Sequence, residues 1–322
     1  MIFAGFSYLP GTIKIISYRA LGANIGKNVE LGMGSIIKPF DGDFKKIQIS
    51  DGVIIGDDVK ILAKYLILGE GSQIKASTRI WGQSSFSLGP LGYIDRECHF
   101  DLRKDITLGK ETTISGGSWF YTHMVFLSVL DGAPFTLSSI RVGDRTYLGA
   151  NAFVLPGVTI GHDAVVGARS VVTRDVESNA VVVGNPARQI GKTPERFKKL
   201  VFADKELLVK EILDQFIEVY DKNTKVVGDA TNKSYRFVHG NHFIYYQSLI
   251  TDLTMIEDFV KRDQPPNVII SFGISDKIKE YCLRHKIEWI DLESGKHSKK
   301  ISAAGLTIEN FFSNYGIRFQ PE

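Results

Sequence analysis

Cysteine is nearly absent from this chain, with Cys98 and Cys282 the only two in 322 residues. That argues against a disulfide framework and fits a reducing compartment, so the expected location is the cytoplasm. Charge of either sign is not in excess, and a net charge of +3 is too small to argue for a nucleic-acid partner. No apolar run reaches the roughly 20 residues that a membrane-spanning helix needs. The uncharged stretch from Met1 to Ile13 is interrupted by Lys14 and Arg19, and it does not end in a small-residue cleavage site of the secretory kind. Neither Gly-x-Gly-x-x-Gly nor a phosphate loop appears, which leaves nucleotidyl transfer without support. Hydrophobic content of 43% and charged content of 23% are ordinary for globular proteins, and the length predicts two domains.

What the chain does have is a strict interval of six. Val142, Leu148, Val154, Ile160, Val166 and Val172 repeat at that spacing, each followed four positions later by Thr146, Ala152, Val158, Ala164, Ser170 or Val176. Gly143, Gly149, Gly161 and Gly167 follow four of the six directly. A helix repeats its apolar residues at three and four, and a half-buried strand at two, so neither explains six. A parallel β-helix does, because each aliphatic residue points inward and stacks on its equivalent one coil away. Earlier hexads run through Ile25, Leu31 and Ile37, then Ile49, Ile55 and Ile61, then Leu68, Ile74 and Ile80. Others run through Ile94, Phe100 and Ile106, then Leu108, Ile114 and Phe120. From Trp81 to Tyr93 and from Tyr121 to Arg141 no such register survives, which predicts two loops leaving the coil. Thr12 to Leu21 reads as a short helix entering the first coil, with Pro10 and Gly11 marking its start. Ile2, Phe3, Phe6 and Tyr8 either touch a membrane surface or pack over the open end of the solenoid, the second being the expected arrangement.

The motifs Tyr147-Leu148-Gly149-Ala150-Asn151, Leu155-Pro156-Gly157-Val158, Val166-Gly167-Ala168-Arg169-Ser170-Val171-Val172 and Gly184-Asn185-Pro186-Ala187-Arg188 resemble the hexapeptide-repeat acyltransferases, sugar O-acetyltransferases in particular. The resemblance covers roughly residues 12 to 192. It implies a left-handed coil, a homotrimer, acetyl-CoA as co-substrate bound between subunits, and a carbohydrate acceptor, with no metal and no nucleic acid. The expected fold is mainly β: a left-handed parallel β-helix over residues 1–192 and a C-terminal α/β domain over residues 193–322.

His123 is the candidate base, since a sugar hydroxyl needs a positioned group to remove its proton and imidazole suits that task near neutrality. Relatives in this family often carry a second histidine two residues later, where this chain has Val125; either His123 serves or the usual base is missing. Asp101 could orient the imidazole or hold the acceptor hydroxyl, or be a turn aspartate bonded to its own backbone. Trp81, Trp119 and Tyr121 could stack on a sugar face. By position, the resemblance points to Ala150, Ala168, Thr173, Arg174, Arg188 and Lys192 for the cofactor. Small residues there would let backbone amides approach the pantetheine, and bases would meet the phosphates. A zinc-dependent carbonic anhydrase on this scaffold would need three imidazoles converging on one metal, and His99, His123 and His162 are the only histidines in the repeat.

After Arg188 the pattern changes. Glu195 to Asp221, Met255 to Arg262 and Asp276 to His285 read as helices; Lys225 to Gly228, His242 to Gln247, Val268 to Phe272 and Glu288 to Asp291 read as strands. The expected function is acetyl transfer from acetyl-CoA to a hydroxyl of a surface polysaccharide or its precursor. N-acetylation of an amino sugar and a non-catalytic binding or assembly module are the alternatives.

Overall fold

The computed structural model describes residues 6–125, 127–193, 200–220, 227–228, 234–239, 242–250, 252–260, 267–313, 315, 317 and 319–322. The chain divides into two compact units, Met1–Phe197 and Lys198–Glu322.

In the first unit the hexads become columns. Three parallel sheets of seven, nine and seven strands, called here faces A, B and C, form the sides of a coil, and the only antiparallel member is the closing strand Arg188–Lys192 on face B. Every repeat residue from Val142 to Val172 in the principal hexad is 3% exposed or less. Burying each such aliphatic side chain contributes about 1.5–3 kcal/mol. The small polar residue four positions on sits at a corner, too close to the next coil for a bulky group. There Thr112 and Thr146 are buried, and each hydroxyl donates to the carbonyl of Gly143 or Gly161 at 2.9 Å. At the corner after Leu148, a Cβ on Gly149 would lie 2.5 Å from the Ala168 nitrogen, so only glycine fits there.

The segment from Trp81 to Tyr93 corrects the sequence reading, for it stays in the coil. Ser85–Leu88 pairs in parallel with Tyr65–Leu68 on one side and Ile106–Leu108 on the other. Leu66 faces Phe86 and Phe86 faces Ile106, a coil of twenty residues in which one side points two residues inward, Phe86 and Leu88. The hexad count restarts two positions later and looks broken. The segment after Tyr121 does leave the coil. His123–Met124 pairs antiparallel with Thr136–Leu137, and the chain rejoins face A at Ile140 opposite Ile106.

The entry helix runs Gly11–Ala20. It turns Tyr18 inward, where the phenol donates to no carbonyl but accepts the Ile37 N–H at 2.9 Å. Lys14 is fully buried, and its ammonium donates to the carbonyls of Ser7, Gly32 and Ser35 at 3.2, 2.6 and 3.1 Å. Burial lowers its pKa. Phe6 packs on this end against Tyr18, whereas Tyr8 is exposed and caps nothing; Ile2 and Phe3 lie outside the described residues. No helix among the described residues is long and apolar enough to cross a membrane.

The second unit holds a seven-stranded sheet in the order Val227–Gly228, Ser234–His239, His242–Leu249, Val268–Phe272, Glu288–Asp291, Lys296–His297, Gln320–Pro321. Its helices are Phe202–Tyr220, Leu253–Val260, Asp276–Arg284 and Ala303–Ser313. Parts of three expected elements, residues 195–199, 221–226 and 261–262, lie outside the described residues. The strand Ser234–His239 and the helix Ala303–Ser313 were not anticipated. In that helix Ala304, Ile308 and Phe311 are buried at helical spacing, a signal weakened by Gly305 and Thr307.

Candidate active site

Face C positions the reactive groups through its register. Trp81, Asp101 and Tyr121 stand opposite one another on successive strands, as do Arg79, His99, Trp119 and Phe153. Alternation along each strand sends Phe100, Leu102 and Phe120 inward and these residues outward. The chain then turns at Thr122, a buried residue whose hydroxyl accepts the Lys104 N–H at 2.9 Å and donates to the Asp101 carbonyl at 2.8 Å. Ser138 N–H donates to the Thr122 carbonyl at 3.0 Å and ties the returning strand to the same point. Thr122 thereby fixes where the next residue projects, a role that sequence reading missed because a threonine beside a candidate histidine has no distinguishing pattern.

His123 Nδ1 lies 3.0 Å from Asp101 Oδ1. A carboxylate can only accept, so Nδ1 carries the hydrogen and Nε2 keeps its lone pair for an outside group. Both side chains are about two-thirds buried, at 27% and 32% exposure. Beside them a pocket of about 530 Å³ is lined by Trp119, Tyr121, His123, Met124, Val125, Phe153 and Leu155. Tyr121 stacks on Phe153 at 5.4 Å and lies parallel to Trp119 at 5.9 Å. Val125 therefore supplies an apolar wall where relatives were expected to carry a second imidazole. Phe153 was not anticipated, although its place just before inward-facing Val154 implies an outward ring.

The structure brings Trp119, Tyr121 and His123 to one pocket, with Asp101 bonded to the imidazole. Trp81 is exposed on the preceding coil, next to Asp101 in register but outside the pocket lining. Ala150 and Ala168 follow strands that pair Leu148 with Val166, so they occupy one corner on successive coils, and the Arg169 N–H donates to the Ala150 carbonyl at 2.8 Å. Arg188 stands opposite Val183, whose side chain abuts Gly167, near the same corner. Thr173 and Arg174 follow Val171–Val172 at the other end of face C, and Lys192 lies opposite Ala180, away from Arg188. The six cofactor candidates thus fall into one corner group of three and three dispersed residues.

The other titratable groups of the repeat are placed differently. His99 stacks on Trp119 at 4.1 Å, and desolvation, then the charge of Arg79, lowers its pKa. His162 is exposed at a corner, its Nδ1 accepting the Asp144 N–H at 3.0 Å. Cys98 is fully buried, and burial pushes its thiol up to about 12, so it holds no thiolate for nucleophilic attack near neutral pH.

Residues 139–174 match the family model described as bacterial transferase hexapeptide (six repeats). Over 67 residues, 21% of this chain and 31% of the relative, the sequence is 46% identical to a chloramphenicol acetyltransferase of Klebsiella aerogenes. Over 207 residues, 59% of this chain and 43% of the relative, it is 27% identical to the bifunctional protein GlmU of Acinetobacter baumannii (strain AYE). The chain thus spans between about a third and under half the length of these curated relatives. Among solved structures, a mutant perosamine N-acetyltransferase from Caulobacter crescentus, in complex with CoA and GDP-perosamine, aligns at 21% identity. That alignment has a TM-score of 0.34 and covers 56% of this chain and 66% of the other. The matched repeat falls on the very coils that the strand register defines, so residues 139–174 carry the hexapeptide repeat within a first unit built as a parallel β-helix.

Proposed function

We propose that this protein transfers the acetyl group of acetyl-CoA to a hydroxyl of a sugar, most specifically of a surface polysaccharide or its precursor, and that it works as a cytoplasmic homotrimer. The observation that carries this reading is the Asp101–His123 hydrogen bond of 3.0 Å at the rim of an aromatic pocket. His123 Nε2 takes the proton from the acceptor hydroxyl as its oxygen attacks the thioester carbonyl carbon. The imidazolium that forms is stabilised by Asp101 and returns the proton to the departing thiolate of CoA. The pKa of Cys98 leaves direct transfer as the route, without an acetyl-enzyme. Trp119 and Tyr121 would face the sugar, with Trp81 meeting a more distant part of the acceptor.

The corner of Ala150, Ala168 and Arg188 suits the cofactor. Two methyl side chains leave the backbone accessible there, and among the described residues the Arg188 guanidinium donates only to the adjacent Ala187 carbonyl at 3.2 Å, so it is available for phosphate. Arg174, exposed at the far corner, would reach another part of the same molecule; Thr173 and Lys192 are weaker candidates by placement. Incubating the protein and its His123→Ala variant with acetyl-CoA and a panel of sugars and amino sugars, with mass detection of the product, tests the reading. Ester products that vanish in the variant support it. Amide products alone would move the acceptor to an amine, and transfer unchanged in the variant would overturn the mechanism. Failure to bind CoA would favour a non-catalytic module.

A further inference from the structure

One outer face of the β-helix is unlike the others in what it exposes. On face A the outward column is Asn24, Gln48, Ile67, Ser87, Thr107, Arg141 and Thr159, with no ring in it. On face C the column beside the active site is Arg79, His99, Trp119 and Phe153, one residue per coil at spacings of about 4.8 Å. His99 and Trp119 lie almost parallel, 10° apart, and continue through Tyr121 and Phe153 into the pocket. The result is a ladder of rings stacked face to face, with a single guanidinium at one end.

Arg79 is exposed, and no carboxylate among the described residues pairs with it. The next cation in register, Lys60, is held by the Gly34 carbonyl and lies 3.6 Å from Asp58. Desolvation, then the neighbouring charge of Arg79, lowers the pKa of His99 and favours its neutral form. The positive charge of the ladder is therefore concentrated in one planar fork suited to bidentate contact with an oxyanion. From Asp101, Arg79 is one strand down and two residues across, on the order of 8 Å by sheet spacings. That is the reach of one hexose ring and an ester oxygen.

We propose that Arg79 binds an oxyanion carried by the acceptor, a phosphate ester or a carboxylate on the sugar whose hydroxyl meets His123, with Trp119 beside the ring. This rests on the acyl-transfer reading of His123. The acceptor class becomes an acidic sugar rather than a neutral glycan, and Arg79 a specificity-determining residue rather than a catalytic one.

The test measures acetyl transfer to glucose, glucose 1-phosphate and glucuronic acid by wild type, Arg79→Gln, Arg79→Lys and His123→Ala, at low and high salt. Wild type is expected to favour one acidic acceptor over glucose by about tenfold or more, the arm that wins identifying phosphate or carboxylate. Arg79→Gln should lose that preference through KM with kcat retained, Arg79→Lys should recover part of it, and added salt should erode it in wild type and Arg79→Lys but not in Arg79→Gln. An acidic-to-neutral ratio unchanged in Arg79→Gln overturns the inference while leaving His123 untouched. Undiminished transfer by His123→Ala would instead remove the reading beneath it. Calorimetric binding of glucose 1-phosphate and glucuronic acid gives a readout independent of turnover, and equal affinities in wild type and Arg79→Gln would also overturn the inference.

Discussion

Each unit of this chain contains a histidine facing a carboxylate, and the two pairs could hardly be used more differently. In the β-helix, Asp101 and His123 meet at 3.0 Å with about a third of each side chain open to solvent. In the α/β unit, His297 and Glu309 approach only to 3.7 Å at 9% and 14% exposure, and Glu309 Oε1 has no hydrogen-bond partner among the described residues. Burial, with Glu288 nearby, pushes Glu309 up to about 8, and burial lowers His297. Identical residue types stand at the rim of an open pocket in one setting and deeply buried in the other. Access to a pocket separates the two.

The comparison can be broken first at its reactive end. His123→Ala should lower acetyl transfer by about 10²- to 10⁴-fold with CoA affinity retained, measured by steady-state kinetics and calorimetry. His297→Ala should leave turnover in place. Next comes the scaffold beneath the surface pair. Phe100 and Phe120 stack at 4.7 Å directly under Asp101 and Tyr121, and Phe120→Ala should cost about 3–5 kcal/mol in denaturant unfolding.

The buried pair should show itself as pH dependence. The folded unit holds a proton on Glu309 that the unfolded chain, with an ordinary carboxyl near 4.5, gives up. Its stabilisation is complete below about 4.5 and is lost as pH rises to about 8. His297 works in the opposite sense, its contribution present above its ordinary 6.5 and lost on acidification. Glu309→Gln should therefore flatten the decline of Tm between neutral pH and about 8, leaving the acid limb. The smallest effect is expected at Trp81, where alanine should raise acceptor KM about two- to tenfold with kcat unchanged, the loss of one stacked ring.

How much of this is legible in the residues differs between the pairs for a physical reason. The hexad sets the inward columns of the coil, and because residues in register repeat every twenty or so positions, Asp101 and His123 could be suspected of meeting. Segment 81–93 misled because a side with two inward residues shifts the count, not because the coil opens. Thr122 and Phe153 act through register and corner geometry, which one local window does not display. His297 and Glu309 come together through a strand and a helix whose packing depends on the whole sheet, and neither is marked by any periodic signal. Arg79 was visible only as a charge until its column placed it at the end of the ring ladder.

The ammonium of Lys14, sealed beneath the entry helix, bears on how the coil is kept from growing. A stack of parallel rungs has no intrinsic terminus, and its first rung offers carbonyls to any strand that can reach them. By claiming two of these, at Gly32 and Ser35, and tying them to the Ser7 carbonyl ahead of the helix, Lys14 turns an adhesive end into a blunt one. Removing the helix would leave a surface on which a second molecule could continue the winding, so one buried cation here guards solubility as much as shape.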